Sequence, residues 1–123
     1  MSTLLLAAAA VIFATGLAHS CLGERYILMR LFRRELPKLF GSDWFTKRTL
    51  RFAWHLTTLA WWTLATILVG LAMREELTRA DLLSLIGALA AMSGVVAAAA
   101  TRGRHLSWGA FFAVATLCWL ANA

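Results

Sequence analysis

His19 and His55 are the side chains of this sequence best placed to do chemistry. The first stands in Ala18-His19-Ser20-Cys21-Leu22-Gly23-Glu24-Arg25 and the second in Arg51-Phe52-Ala53-Trp54-His55. Each lies about one helical turn inside an apolar run long enough to cross a membrane. Ionisable groups are costly there, so by default they mark a functional site. Inward-facing imidazoles from two helices can build a metal or haem site in a bundle. A transition-metal site would use His19 and His55, with Glu24 and His105 as further ligands, and these donors suit Zn, Fe or Cu. Haem b between the two histidines needs only two axial ligands, but 123 residues leave little pocket unless two copies contribute. A proton or substrate relay would use imidazole as a neutral-pH switch, with Glu24 and Arg51 assisting. In a purely structural reading the rings bond to Ser20, Thr58 or a backbone carbonyl, and Glu24 pairs with Arg25, Arg48 or Arg51. No serine, cysteine or threonine stands as an evident nucleophile beside a base, so enzymatic activity is not the expectation. Cys21, two residues from His19, lies on a different helical face.

The neighbours of the two histidines suggest that both point inward. His19 shares a helical face with Gly16 and Gly23, and glycines are favoured where helix backbones touch. His55 shares its face with Thr58, Trp62 and Thr66, and Trp54 beside it is a candidate support. His105, at the start of the last apolar run, belongs to the same end of the molecule as Glu24, Arg25 and Arg51.

What must position these residues is an all-α scaffold. The chain is 61% hydrophobic with one proline and a mean hydropathy of +0.72, well above the apolar content of ordinary soluble domains. At about 20 residues per span, four helices and their connections use the whole length as one membrane domain. The spans fall at about 3–22, 52–73, 81–100 and 106–120, and the second helix starts earlier, near Ser42-Asp43. Ala18-His19-Ser20 before Cys21 has the look of a cleavage site. The first Lys or Arg, however, is Arg25, after the apolar stretch, so the segment reads as a retained first span.

Charge sets the orientation. Residues 24–51 carry eight basic side chains, and Arg102 and Arg104 add two more on the same side. The connection between spans two and three has only Arg74 and Arg79, balanced by Glu75, Glu76 and Asp81. This asymmetry predicts 24–51 and 101–105 in the cytoplasm, both termini in the periplasm, and a bacterial inner-membrane location. The net charge of +6 then reflects topology and anionic lipid rather than nucleic acid. Within 25–41, Leu28, Leu31, Phe32, Leu36 and Leu39 recur at helical spacing with Arg30, Arg33, Arg34 and Lys38 on other faces. That pattern predicts a basic amphipathic helix in the headgroup plane, ended by Pro37 and turned by Gly41-Ser42-Asp43.

Other signals concern packing. Thr78-Arg79-Ala80-Asp81 matches a capping box before span three. Ser84, Gly87, Ala91, Gly94 and Ala98 form a small-residue stripe along that span, as close helix packing within or between copies would need. Gly103 predicts a helix stop and tight turn. Trp44, Trp108 and Trp119 fit interfacial belts, whereas Trp61 and Trp62 lie too deep and read as core or lipid-facing bulk. Cys21 and Cys118 fall toward opposite ends, too far apart to bridge.

The strings His19-Ser20-Cys21-Leu22-Gly23-Glu24-Arg25 and Arg51-Phe52-Ala53-Trp54-His55-Leu56-Thr57-Thr58 resemble those of small four-helix bacterial inner-membrane proteins of uncharacterised function. The resemblance covers essentially the whole chain. It implies four spans and a pairing of the two strings, and it carries no activity or cofactor. The resulting expectation is a histidine-centred site at the cytoplasmic end, binding a metal ion. The alternatives are an accessory subunit of a larger membrane complex, or a small homo-oligomeric transporter or haem protein.

Overall fold

A computed structural model describes residues 2–74 and 76–123. Four helices account for most of them: α1 Ser2–Leu31, α2 Trp44–Met73, α3 Arg79–Thr101 and α4 Ser107–Leu120. The described residues contain no β-strand. The first three helices are long and apolar enough to cross a membrane. At 14 residues, α4 spans about 21 Å, less than a hydrocarbon core of about 30 Å.

A separate basic helix over 25–41 does not form. The first helix instead runs on through a π-helical stretch, Gly23–Leu28, into Met29–Leu31. Leu28 is only 2% exposed, so the apolar side of α1 is still packed here and the helix gains by continuing. The chain leaves the helix in a turn over 32–34. Pro37 and the restricted residue before it then keep the path irregular. A two-residue hairpin between Leu39 and Ser42 turns the chain toward α2. Its central residues, Phe40 and Gly41, have φ of 57° and 86°. Both are left-handed, as this turn type requires, and at Phe40 that conformation costs about 1–2 kcal/mol.

The helices pack in chain order, α1 on α2, α2 on α3 and α3 on α4, and among the described residues no comparable contact closes a ring between α1 and α4. The most buried apolar residues are mainly small: Ala9, Ala65, Ala90, Ala97 and Ala115. Large side chains such as Leu4, Val11, Met92, Val95 and Leu117 face outward. Backbones thus meet inside and bulk lies outside.

Both ends of α3 follow their sequence signals. Asp81 N–H donates to Thr78 Oγ1 at 3.1 Å and Thr78 N–H to Asp81 Oδ2 at 3.0 Å, completing the capping box. At the other end, Arg102 and Gly103 turn left-handed with φ of 53° and 74°, and Gly103 N–H closes on Ala98 O at 2.8 Å. The small-residue stripe receives aromatic rings from α4. Trp119 lies so near Gly87 that a Cβ there would stand 2.6 Å from its Nε1, and Phe112 lies over Gly94. Trp119 is therefore a packing residue as well as a terminal aromatic.

Candidate functional site

The candidate site is built where α1 and α2 run antiparallel, so that residues 13–24 meet residues 51–62 in reverse order. A helix brings residues four apart onto one face. Ser20 and Glu24 therefore project together from α1, facing Arg51, His55 and Thr58 of α2. Arg51 grips the Glu24 carboxylate with two contacts, Nη2 to Oε1 at 2.8 Å and Nε to Oε2 at 3.2 Å. The planar guanidinium suits this two-point geometry. His55 Nε2 stands 3.4 Å from Glu24 Oε2. Its other nitrogen, Nδ1, is 2.9 Å from Ser20 Oγ. Ser20 Oγ lies 2.8 Å from Thr58 Oγ1, which reaches Gly16 O at 3.3 Å. An unbroken polar chain thus runs from a half-exposed ion pair to a buried threonine and a backbone carbonyl.

Donor and acceptor counting gives this chain two self-consistent states. With a neutral ring, Thr58 donates to Ser20, Ser20 donates to Nδ1, and Nε2–H donates to Glu24. With a charged ring, Nδ1–H donates to Ser20, Ser20 donates to Thr58, and Thr58 donates to Gly16 O. One added proton reverses both hydroxyls and strengthens a contact between the helices. Every group is satisfied in either state.

His19 faces elsewhere. Its ring stacks on Trp54 with centroids 4.5 Å apart and planes within 3°, and meets the edge of Trp61 at 5.0 Å. Its Nε2 lies 2.9 Å from Thr57 Oγ1 and 3.3 Å from Trp54 O. The reason is angular: adjacent helical residues differ by about 100°, so His19 and Ser20 cannot both face His55. Trp54 accordingly supports His19 rather than His55. It also fixes the helix pair, because its indole fills the notch at Gly23 and its Nε1 donates to His19 O at 3.1 Å. Trp62 repeats the device one level deeper, packing against Gly16, donating to Phe13 O at 3.2 Å and stacking on Phe13. Both glycines singled out with His19 therefore receive an indole. Nothing in the sequence marks Thr57 as the partner of His19.

His105 belongs to a third arrangement. Its Nδ1 is 2.7 Å from Ser107 Oγ, and its ring lies against Phe45 and Phe52. That contact gathers the three histidines at one end, as expected, but not around a common point. The expected ligands His19, His55, Glu24 and His105 are divided among three hydrogen-bonded settings. Among the described residues no group of three or more His, Cys, Asp or Glu side chains is placed to hold a metal ion. The donors present do not fit a shared metal in this arrangement. Cys21 and Cys118 are both free thiols.

The absence of a nucleophile beside a base needs revision, because Ser20, His55 and Glu24 do line up as hydroxyl, imidazole and carboxylate. The surroundings differ from those of an acyl-transfer site. Ser20 sits inside a helix whose neighbouring backbone N–H groups are committed to helical bonds rather than free to receive an oxyanion. Its hydroxyl meets Thr58 between two packed helices instead of opening onto a concave pocket. No protein-family model, curated protein or solved structure matches the chain.

Proposed function

We propose that the chain is a four-span membrane protein of the bacterial inner membrane whose α1–α2 pair takes up and holds a proton at its cytoplasmic end. The observation that carries this reading is the hydrogen-bonded chain Thr58–Ser20–His55–Glu24–Arg51, in which His55 uses both ring nitrogens. A proton path needs groups that both donate and accept, and imidazole and hydroxyls do so. The chain ends at the Gly16 carbonyl, so it stores a proton and couples it to helix pairing rather than conducting across the bilayer. A lipid setting is supported by the outward-facing Leu4, Val11, Met92 and Leu117, more apolar surface than water tolerates on a monomer. The basic residues beside the site favour the cytoplasmic side. A metal at His19 and His55 would require the rings to leave their present partners.

The test is a pH titration in nanodiscs, following the histidine ring nitrogens by 15N NMR and the indole N–H signals of Trp54 and Trp62. Where a proton enters the chain, the ring-nitrogen signals of His55 should change and the Trp62 signal should move with them. His55→Gln, which keeps a donor and an acceptor, should preserve the fold and abolish the response. A His55 ring that stays in one state throughout, or titrates without moving either indole, overturns the reading. Covalent capture of Ser20 by a fluorophosphonate would replace it with acyl transfer.

A further inference from the structure

At the same end of the molecule, nearer the start of α2, three arginines converge on one indole. The guanidinium carbons of Arg102, Arg104 and Arg48 lie 5.3, 5.8 and 5.9 Å from the ring centroid of Trp44. Arg104 also lies 5.6 Å from the ring of Phe40. Arg48 comes from the second turn of α2, and the other two come from the turn between α3 and α4. Only tertiary packing brings them together.

Two observations argue for a ligand here. First, among the described residues no carboxylate pairs with any of the three, whereas Arg51, Arg74, Lys38 and Lys47 all have acidic partners. Three like charges around one ring repel, and an anion relieves them. Second, Phe40 and Arg102 are the only non-glycine residues with left-handed backbones among those described, and both belong to this cluster. The hairpin and the α3 C-cap that set these conformations also hold both side chains in place at the cluster. The cluster is braced. Trp108 Nε1 donates to Gly103 O at 3.0 Å, and the fully buried Thr101 hydroxyl accepts from His105 N at 3.2 Å. A guanidinium that lies near an aromatic ring and has no carboxylate partner can still offer N–H groups in the two-point geometry that phosphate accepts.

We propose that Arg48, Arg102 and Arg104, gathered on Trp44 and Phe40, bind the headgroup of an anionic phospholipid carrying two phosphates. The inference rests on the membrane setting proposed above and is independent of the proton chain. A single phosphodiester balances one of the three positive charges. Two phosphates joined through glycerol balance two, and can bridge arginines that come from separate elements. Acyl chains extending from such a headgroup would run down the apolar surfaces of α2 and α4.

Native mass spectrometry of the detergent-purified, delipidated protein, titrated separately with cardiolipin, phosphatidylglycerol, phosphatidylcholine and inorganic phosphate, tests this. Cardiolipin should bind tightest. Arg102→Gln with Arg104→Gln should weaken it about 25-fold, from about fivefold per surface guanidinium. Arg102→Lys with Arg104→Lys keeps the charge but loses the planar fork, and should erase the preference for cardiolipin over phosphatidylglycerol. Arg74→Gln with Arg79→Gln, at the opposite end, should change nothing. Helical circular dichroism confirms that each variant is folded. Equal binding of cardiolipin and phosphatidylglycerol by the wild type, or an unaffected glutamine variant, overturns the proposal. Inorganic phosphate that competes as well as the lipid would make this a soluble-phosphate site and overturn the lipid assignment. A protein that stays monodisperse without any detergent would overturn the membrane setting itself.

Discussion

The α1–α2 and α3–α4 interfaces bring apolar helices together by opposite means. Between α1 and α2, two indole N–H groups, two hydroxyls, an imidazole and an ion pair cross the gap. Along α3 and α4, among the described residues, only Asn122 Nδ2 donating to Ser84 Oγ at 3.2 Å does so. The rest of that contact is rings over glycines. The connections explain the difference. Residues 102–106 form a tight turn that leaves α4 little choice of partner, whereas residues 32–43 form a longer and less regular path. Closing a longer loop costs more entropy and fixes less, so α1 and α2 need directional contacts to find their register.

The largest break in this contrast should come from Gly23→Ala. A Cβ there would stand 2.6 Å from Cε2 and Cζ2 of Trp54, and such overpacking costs about 2–3 kcal/mol. Reversible unfolding in mixed micelles should show it, and adding Trp54→Phe, which removes those atoms, should recover part of the loss. Gly94→Ala, in the dry interface, meets only the rim of Phe112 at 3.0 Å; the same assay should register about 1 kcal/mol or less.

Next in size is Ser20→Ala, which interrupts the polar chain, strands His55 Nδ1 and leaves Thr58 only its bond to Gly16 O. The expected cost is about 1–2 kcal/mol by the same unfolding assay. Ser84→Ala, its counterpart in the other pair, removes one exposed bond and should stay within about 0.5 kcal/mol. Comparable losses in the two variants would erase the proposed division between a wet and a dry interface.

The smallest effect concerns the connection itself. The Lys47 ammonium, hydrogen-bonded to Asp43 at 2.6 Å, holds its carboxyl below the usual 3.8, against some opposing desolvation; the Leu36 N–H lowers it further. A depressed carboxylate stabilises the fold above its unfolded value and loses that contribution as pH falls through its folded value. The stability gap between wild type and Asp43→Asn should therefore be constant near neutrality and close below about pH 3.8. Thermal melts over that range check the sign.

Features set by short-range rules were legible in the residues. Thr78 and Asp81 cap α3 as their spacing requires, Gly103 ends the turn, and Glu24 meets one of its three candidate arginines. Features set by helix rotation were harder to read. A face shared by Ser20 and Glu24, opposite one shared by Arg51 and His55, is visible as two four-residue spacings. Which of His19 and Ser20 turns toward α2's polar side depends on where Trp54 fits, and that depends on Gly23. The basic stretch after Glu24 carries the period of an amphipathic helix. Nothing in that period announces a π-helical passage that keeps it attached to α1.

Packing in a row also has a consequence for biosynthesis. A chain made from its N-terminus has every helical partner of α1 in hand once Met73 has been added, before α3 exists. Glu24 can then meet Arg51 within the first hairpin, so the charged pair is already neutralised before the second hairpin is made. The second hairpin can dock afterwards on a finished surface of α2. Order of synthesis and order of assembly thereby coincide.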